Sequence, residues 1–202
     1  IKYPELNFEI NSYEDFLKIN NFVKSKAINI NTSTTSIVKK FIAYEMQNTL
    51  NNLFFHKRSI TGSDNIKTLK SLNNITKLKI KKIKSSTKVF DWIVPKVWHV
   101  QEAYIADKDN NVLIDFKDNH LHVVNYSISV NKFIKWSDLK NKLYTHDKID
   151  NAIPYRTSYY NRDWGFCITK NQFKKLELIK GPFKVFIKSN HKNGWMPIMV
   201  KK

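Results

Sequence analysis

The spacing of apolar positions changes character along this 202-residue chain. Across residues 12–24, Phe16, Ile19 and Val23 recur at helical intervals behind Ser12, an N-cap type, with acids in the first turn. After a polar stretch at 29–35, the positions Ile37, Phe41, Tyr44, Leu50, Leu53 and Phe54 predict a long amphipathic helix that ends near His56. Ser63 or Asp64 then caps a short helix carrying Ile66, Leu69 and Leu72. From about residue 77 the pattern turns to strands, expected over 77–83, 88–94, 97–106, 111–117 and 120–130. DKDNN at 107–111 supplies a hairpin turn. A short helix from Ser137 and Asp138, a helix over 171–177 and a strand over 182–188 follow. Helices, then a β-rich block, then mixed structure define an α/β (α+β) chain with a β-rich subdomain.

Composition narrows the picture. Hydrophobic residues make up 42% and aromatics 13%, enough to fill a core, and only 4 Gly and 5 Pro leave no low-complexity linker. The single Cys167 can form neither an internal disulfide nor a CxxC metal site, so a reducing cytoplasm is the expected location. No apolar run approaches the roughly 20 residues of a membrane helix, and no membrane partner is expected. The net charge of +18 raises the question of nucleic acid. However, only Arg58, Arg156 and Arg162 are arginine, the residue suited to bidentate phosphate and base contacts. The lysines are dispersed, and in the densest run Ile80 and Ile83 alternate with them. A solvated lysine surface therefore outweighs a nucleic-acid face.

Conventional catalytic motifs are missing: there is no HExxH, GxSxG, P-loop or GxGxxG. His120 and His122 would share one face of a strand, but His122 continues the row Val124, Tyr126, Ile128 and Val130, which points to packing rather than a metal site. Cys167, in Gly-Phe-Cys-Ile, reads as a buried small hydrophobe. Ser158 has no histidine at a motif-defined distance. The segment 153–167, IPYRTSYYNRDWGFC, is less ordinary. It gathers Tyr155, Arg156, Thr157, Ser158, Tyr159, Tyr160, Arg162 and Trp164, offering cationic forks, hydroxyls and flat apolar faces. On residue types alone, a structural corner with bonded tyrosine hydroxyls accounts for it better than a ligand site does. RSITG, 58–62, reads as a turn whose Ser59 and Thr61 cap helix ends and whose Gly62 permits a positive φ.

Four blocks taken together carry a resemblance: RSITGSDNIKTL (58–69), SSTKVFDWIVPKVWHVQEAYI (85–105), DNHLHVVNYSISV (118–130) and IPYRTSYYNRDWGFC (153–167). Their order and spacing resemble a family of bacterial proteins with an aminopeptidase-like domain, often encoded among surface-polysaccharide biosynthesis genes. The resemblance spans about 45–190. It implies a zinc-peptidase-like α/β domain interrupted by a β-rich insertion, with zinc-activated water attacking an amide-like carbonyl. The implied division is an N-terminal extension at 1–35, the start of the peptidase-like domain at 36–86, the β-rich insertion at 87–150 and a return at 151–202. By this analogy Arg58, Arg156, Thr157, Ser158, Tyr159, Tyr160 and Trp164 become candidate cleft or substrate-binding residues.

Departures shape the expectation. LFFHKR at 53–58 lacks the proline usual before the turn. After 183–189 this chain reads NHKNGWMPIMVKK where the family has a Gly-Ser-Leu-Thr-Tyr-Gly-Glu-like segment and then its His and Asp zinc ligands. His191 matches no ligand motif. The expectation is a truncated, incomplete zinc-peptidase-like protein, with zinc belonging to the intact family and no metal or other cofactor in this chain, not catalytic alone. The intact family's partner would be a peptide-like or glycan-linked small substrate. The alternative is a partner- or glycan-binding module built on Trp92, Trp98, Tyr155, Tyr159 and Trp164. Unpaired final strands would favour an oligomer. Residues 12–24 faintly resemble the closing helix of sugar-nucleotide cytidylyltransferases.

Overall fold

A computed structural model describes residues 2–3, 8–9, 32–54, 56–159 and 161–200. The helix expected over 12–24 lies outside them. The chain divides into two compact units, Ile1–His56 with Ser71–Lys77, and Lys57–Lys70 with Leu78–Lys202.

In the first unit, β1 (Lys2–Tyr3) and β2 (Phe8–Glu9) pair antiparallel. The long helix forms as α1 (Thr32–Phe54), beginning inside the stretch read as a polar linker. Its predicted stripe does not become a buried seam: Leu53 is buried, whereas Tyr44, Leu50 and Phe54 are exposed. Backbone bonding sustains such a helix even where its apolar residues meet water.

The second unit holds the main core. Most of α2 (Ser63–Ile75) lies in it, starting at the expected cap. The four-stranded sheet has the order β7 (Val112–Asp115), β6 (Val97–Ala106), β11 (Phe183–Lys192), β8 (Val130–Ile134). Its central strands are β6 and β11, antiparallel, with Ile105 opposite Val185 and Ala103 opposite Ile187. β7 returns from β6 across the expected turn, where the Asp107 carboxylate accepts from the backbone N–H groups of Asp109 and Asn111. β8 forms the other edge. Strands expected in the 87–150 and 151–202 segments thus share one sheet.

Alternation decides what this sheet buries. Ala103, Ile105, Phe183, Val185 and Ile187 turn their side chains into a core shared with Leu139, Leu143, Phe166, Ile168 and Leu176. Removing a side chain such as Phe183 from water is worth roughly 1.5–3 kcal/mol. Leu139 lies on α3 (Trp136–Leu139), and Leu143 on β9 (Leu143–Tyr144), which pairs in parallel with β10 (Phe166–Cys167). Leu176 comes from α4 (Lys170–Ile179), which opens on a capping box between Thr169 and Gln172. Apart from the sheet, β3 (Lys79–Lys84) pairs with β12 (Trp195–Val200). Its lysines are exposed while Ile80 and Ile83 are half-buried; three residues apart, the two isoleucines point to opposite faces of the strand.

Two strand expectations need correction. The 88–94 strand is a small hairpin, β4 (Lys88–Val89) and β5 (Trp92–Ile93), because Phe90 takes a φ of 55° and reverses the chain. The 120–130 strand is a 3-10 turn at His120–His122 followed by an irregular buried loop. Asn119 caps that turn by accepting from the Leu121 N–H, and Tyr126 has a φ of 67°, which no strand accommodates. Among the described residues the result is an α+β fold, and no helix is long and apolar enough to cross a membrane.

Candidate functional site

The irregular loop at 123–128 is held by its neighbours rather than by a sheet ladder. Val124 N–H donates to Gly165 O at 3.0 Å, Asn125 N–H to Arg156 O at 2.9 Å, and Ile128 N–H to Asp163 O at 3.0 Å. Ser158 N–H donates back to Asn125 O at 2.9 Å. The buried loop thereby has its backbone satisfied by the more exposed 156–165 segment, which is what permits irregular chain in an interior.

Tyr126 stands at the centre. Its hydroxyl, the Thr61 hydroxyl and the Lys96 carbonyl form a triangle with 3.1 Å sides. Two hydroxyl protons serve those contacts, tying the RSITG turn to the start of β6. In the turn Ser59 Oγ donates to Thr61 O at 2.8 Å, and Gly62, at a φ of 118°, uses the freedom that glycine allows. Beneath Tyr126, the Trp98 ring stacks at 6.1 Å and its indole N–H donates to Ser127 O at 2.9 Å. Around it stand Tyr159 at 5.5 Å and His191 at 5.9 Å.

Above Tyr126 opens a cleft of about 770 Å³ lined by Trp92, Lys96, Ser158, Tyr159, Arg162 and His191, with Asp91 among the other lining residues. Burial pushes the Tyr126 hydroxyl pKa up, partly opposed by hydrogen bonding to Thr61 and Ser59, so it remains a neutral phenol. Burial also lowers the His191 pKa, and the positive charges of Arg162 and Lys96 lower it further, against a Tyr126 backbone hydrogen bond that raises it. At neutral pH the cleft therefore presents two cations, one carboxylate, a neutral imidazole and three aromatic faces. Such a surface can hold a flat ligand and hydrogen-bond its polar edge.

The expected cluster divides. Ser158 and Tyr159 line the cleft. Thr157 forms a bridge with Asn125, and the exposed Arg156 guanidinium sits 5.5 Å over the Tyr144 ring. Trp164 is buried elsewhere, beneath the ammonium groups of Lys132 and Lys142, in the wall of a separate 500 Å³ cavity. Arg58 is exposed at the head of the RSITG turn and does not line the cleft. Tyr160 lies outside the described residues. Of the alternative aromatic set, Trp92 reaches the cleft, Trp98 supports its floor, and the Tyr155 hydroxyl accepts from Asn125 Nδ2 at 3.2 Å. Sequence reasoning missed Lys96, Tyr126 and His191, which lie far apart in the chain and share no spacing. The positive φ at Tyr126 had no signal either.

The donor set of the described residues does not fit zinc. Among the described residues no three His, Cys, Asp or Glu side chains gather closely enough for a cage. His122 is buried and its Nδ1–H donates to the Cys167 carbonyl at 2.8 Å, while the His120 ring packs 4.8 Å from Phe116. Cys167 is fully buried and its thiol pKa is pushed up to about 12, which removes it as a nucleophile.

Comparison with known proteins finds similar chains whose names refer to an aminopeptidase-like domain and to a peptidase. Residues 97–190, the stretch from β6 into β11, match a family described as a domain of unknown function (DUF2172). Over 150 residues the chain is 41% identical to a Clostridium acetobutylicum protein named for polysaccharide biosynthesis and an aminopeptidase-like domain, covering 74% of this chain and 34% of that one. A crystal structure from Clostridium acetobutylicum, named for a peptidase, is similar at 38% identity with a TM-score of 0.68, over 80% of this chain and 39% of that one. The aminopeptidase-like and polysaccharide-biosynthesis resemblance read from the four blocks is therefore supported by these names. The chain spans little more than a third of the length of either relative.

Proposed function

We propose that this chain supplies the ligand-recognition face of an aminopeptidase-like protein, and that by itself it binds rather than hydrolyses. The observation that carries the reading is the convergence of four separate segments on Tyr126, leaving an aromatic and basic cleft above it. A peptide-like or glycan-linked small molecule suits that cleft: Trp92 and Tyr159 offer flat faces, while Ser158 and Arg162 offer polar contacts at its edge. Zinc-activated attack on an amide-like carbonyl is the chemistry proposed for the whole aminopeptidase-like protein, in a reducing cytoplasm. The division at 1–35, 36–86, 87–150 and 151–202 is part of the same proposal.

The test has two parts. Calorimetric titration with short peptides and glycan-linked peptides should find binding that Trp92→Ala abolishes without changing the circular dichroism spectrum. Aminoacyl substrates incubated with the chain and zinc should not turn over. Metal-dependent cleavage, or a panel in which nothing binds, contradicts the reading.

A further inference from the structure

We propose that the cleft over Tyr126 selects ligands bearing a carboxylate, with Lys96, Arg162 and His191 receiving the negative charge while Trp92 and Tyr159 hold the flat body. The inference rests on the recognition reading above and adds the charge of the ligand to it.

Three basic side chains from three distant segments line one cleft. Lys96 precedes β6, Arg162 follows the loop that bonds Asn125, and His191 lies near the end of β11. Lys96 and Arg162 are exposed, and neither is ion-paired among the described residues. The one carboxylate on the lining, Asp91, leaves the cleft net positive. Like charges brought together without partners repel, and an incoming anion relieves that repulsion. Arg162 offers a planar fork matched to a carboxylate, and Lys96 a compact charge on the same lining. His191 adds a proton-linked contribution. The ring is exposed, but partial desolvation and its two cationic neighbours lower its pKa, so an anion seated between them favours its protonation. The groups facing it are Arg162, Lys96 and the Tyr126 ring, which does not ionise in the relevant range. Binding therefore tightens as pH falls towards and below 6.5.

A carboxylate of this kind occurs on an acidic sugar or at the free C-terminus of a short peptide, and paired probes separate the sources. Glucuronate is titrated against glucose, and dialanine against dialanine amide, with the His191 Cε1–H resonance and calorimetry as readouts. In at least one pair the acid should bind about tenfold tighter or more than its neutral twin. Arg162→Gln should erase most of that preference, the acid losing several-fold more affinity than its neutral twin. Preference in the sugar pair assigns an acidic sugar, and preference in the peptide pair assigns a peptide terminus. Equal affinity of charged and neutral twins, with Trp92→Ala still abolishing binding, overturns the carboxylate inference and leaves the recognition reading intact. An acid preference that survives Arg162→Gln unchanged also overturns it. Failure of all four probes to bind, while the wider panel still binds through Trp92, sinks the inference alone; failure of both sinks the recognition reading as well.

Discussion

Tyr126 combines a buried aromatic ring, a shared hydroxyl and a positive φ. A bulky residue in that backbone region carries a strain of order 1–3 kcal/mol, which its surroundings must offset. Trp98 beneath it, the Thr61–Lys96 triangle and the two zipped loops provide those surroundings. Histidines set the acid sensitivity. Burial lowers the pKa of His120, His122 and His191 below 6.5, so each imidazole is kept neutral in the fold. Below pH 6.5 the unfolded chain binds more protons than the folded one, and stability must fall with pH until the folded values are passed. The urea midpoint should hold steady between pH 8 and 7 and decline from pH 6.5 to 5. His122→Gln should show a shallower decline from a lower starting point. A midpoint that rises on acidification contradicts this reading.

Between β9 and β10, Gly165 shows how closely the elements approach. A Cβ there would lie 2.8 Å from Tyr144 Cε2, 3.0 Å from the Lys142 carbonyl and 3.1 Å from Val124 Cγ2. Since one neighbour is backbone and the others are packed, Gly165→Ala should cost about 1–3 kcal/mol, read as a lower urea midpoint. An unchanged midpoint would mean that this junction gives way easily. Legibility at this scale followed the source of each element's stability. β6 keeps the limits the alternation predicted, 97–106, because a half-buried sheet face writes its period into the chain. The 120–130 segment alternates almost as well, yet Asn119 and Tyr126 divert it, and loop-to-loop hydrogen bonds replace the ladder. β12 had no strand expectation, and Pro197 lies within it, opposite Lys82 of β3. Proline weakens any strand reading taken from sequence.

Across the second unit, the sheet and its core bring together residues that no local pattern connects. Ser158 and Tyr159 stood out in sequence because they belong to one dense aromatic–polar run, and both line the cleft. Arg156 and Trp164, from the same run, serve the Tyr144 and Lys132–Lys142 surroundings instead. Lys96 and His191 entered only through tertiary convergence: β6 and β11 pair along their length, with Trp98 opposite His191. Where a ligand sits is therefore the point on which the account turns. The five tryptophan indole signals, followed by NMR during titration with a bound peptide or glycan probe, report it directly. The account predicts that the Trp92 indole and the His191 ring shift with ligand, while the Trp164 and Trp136 indoles stay in place. Movement of Trp164 with a silent Trp92 would put the ligand elsewhere and contradict it.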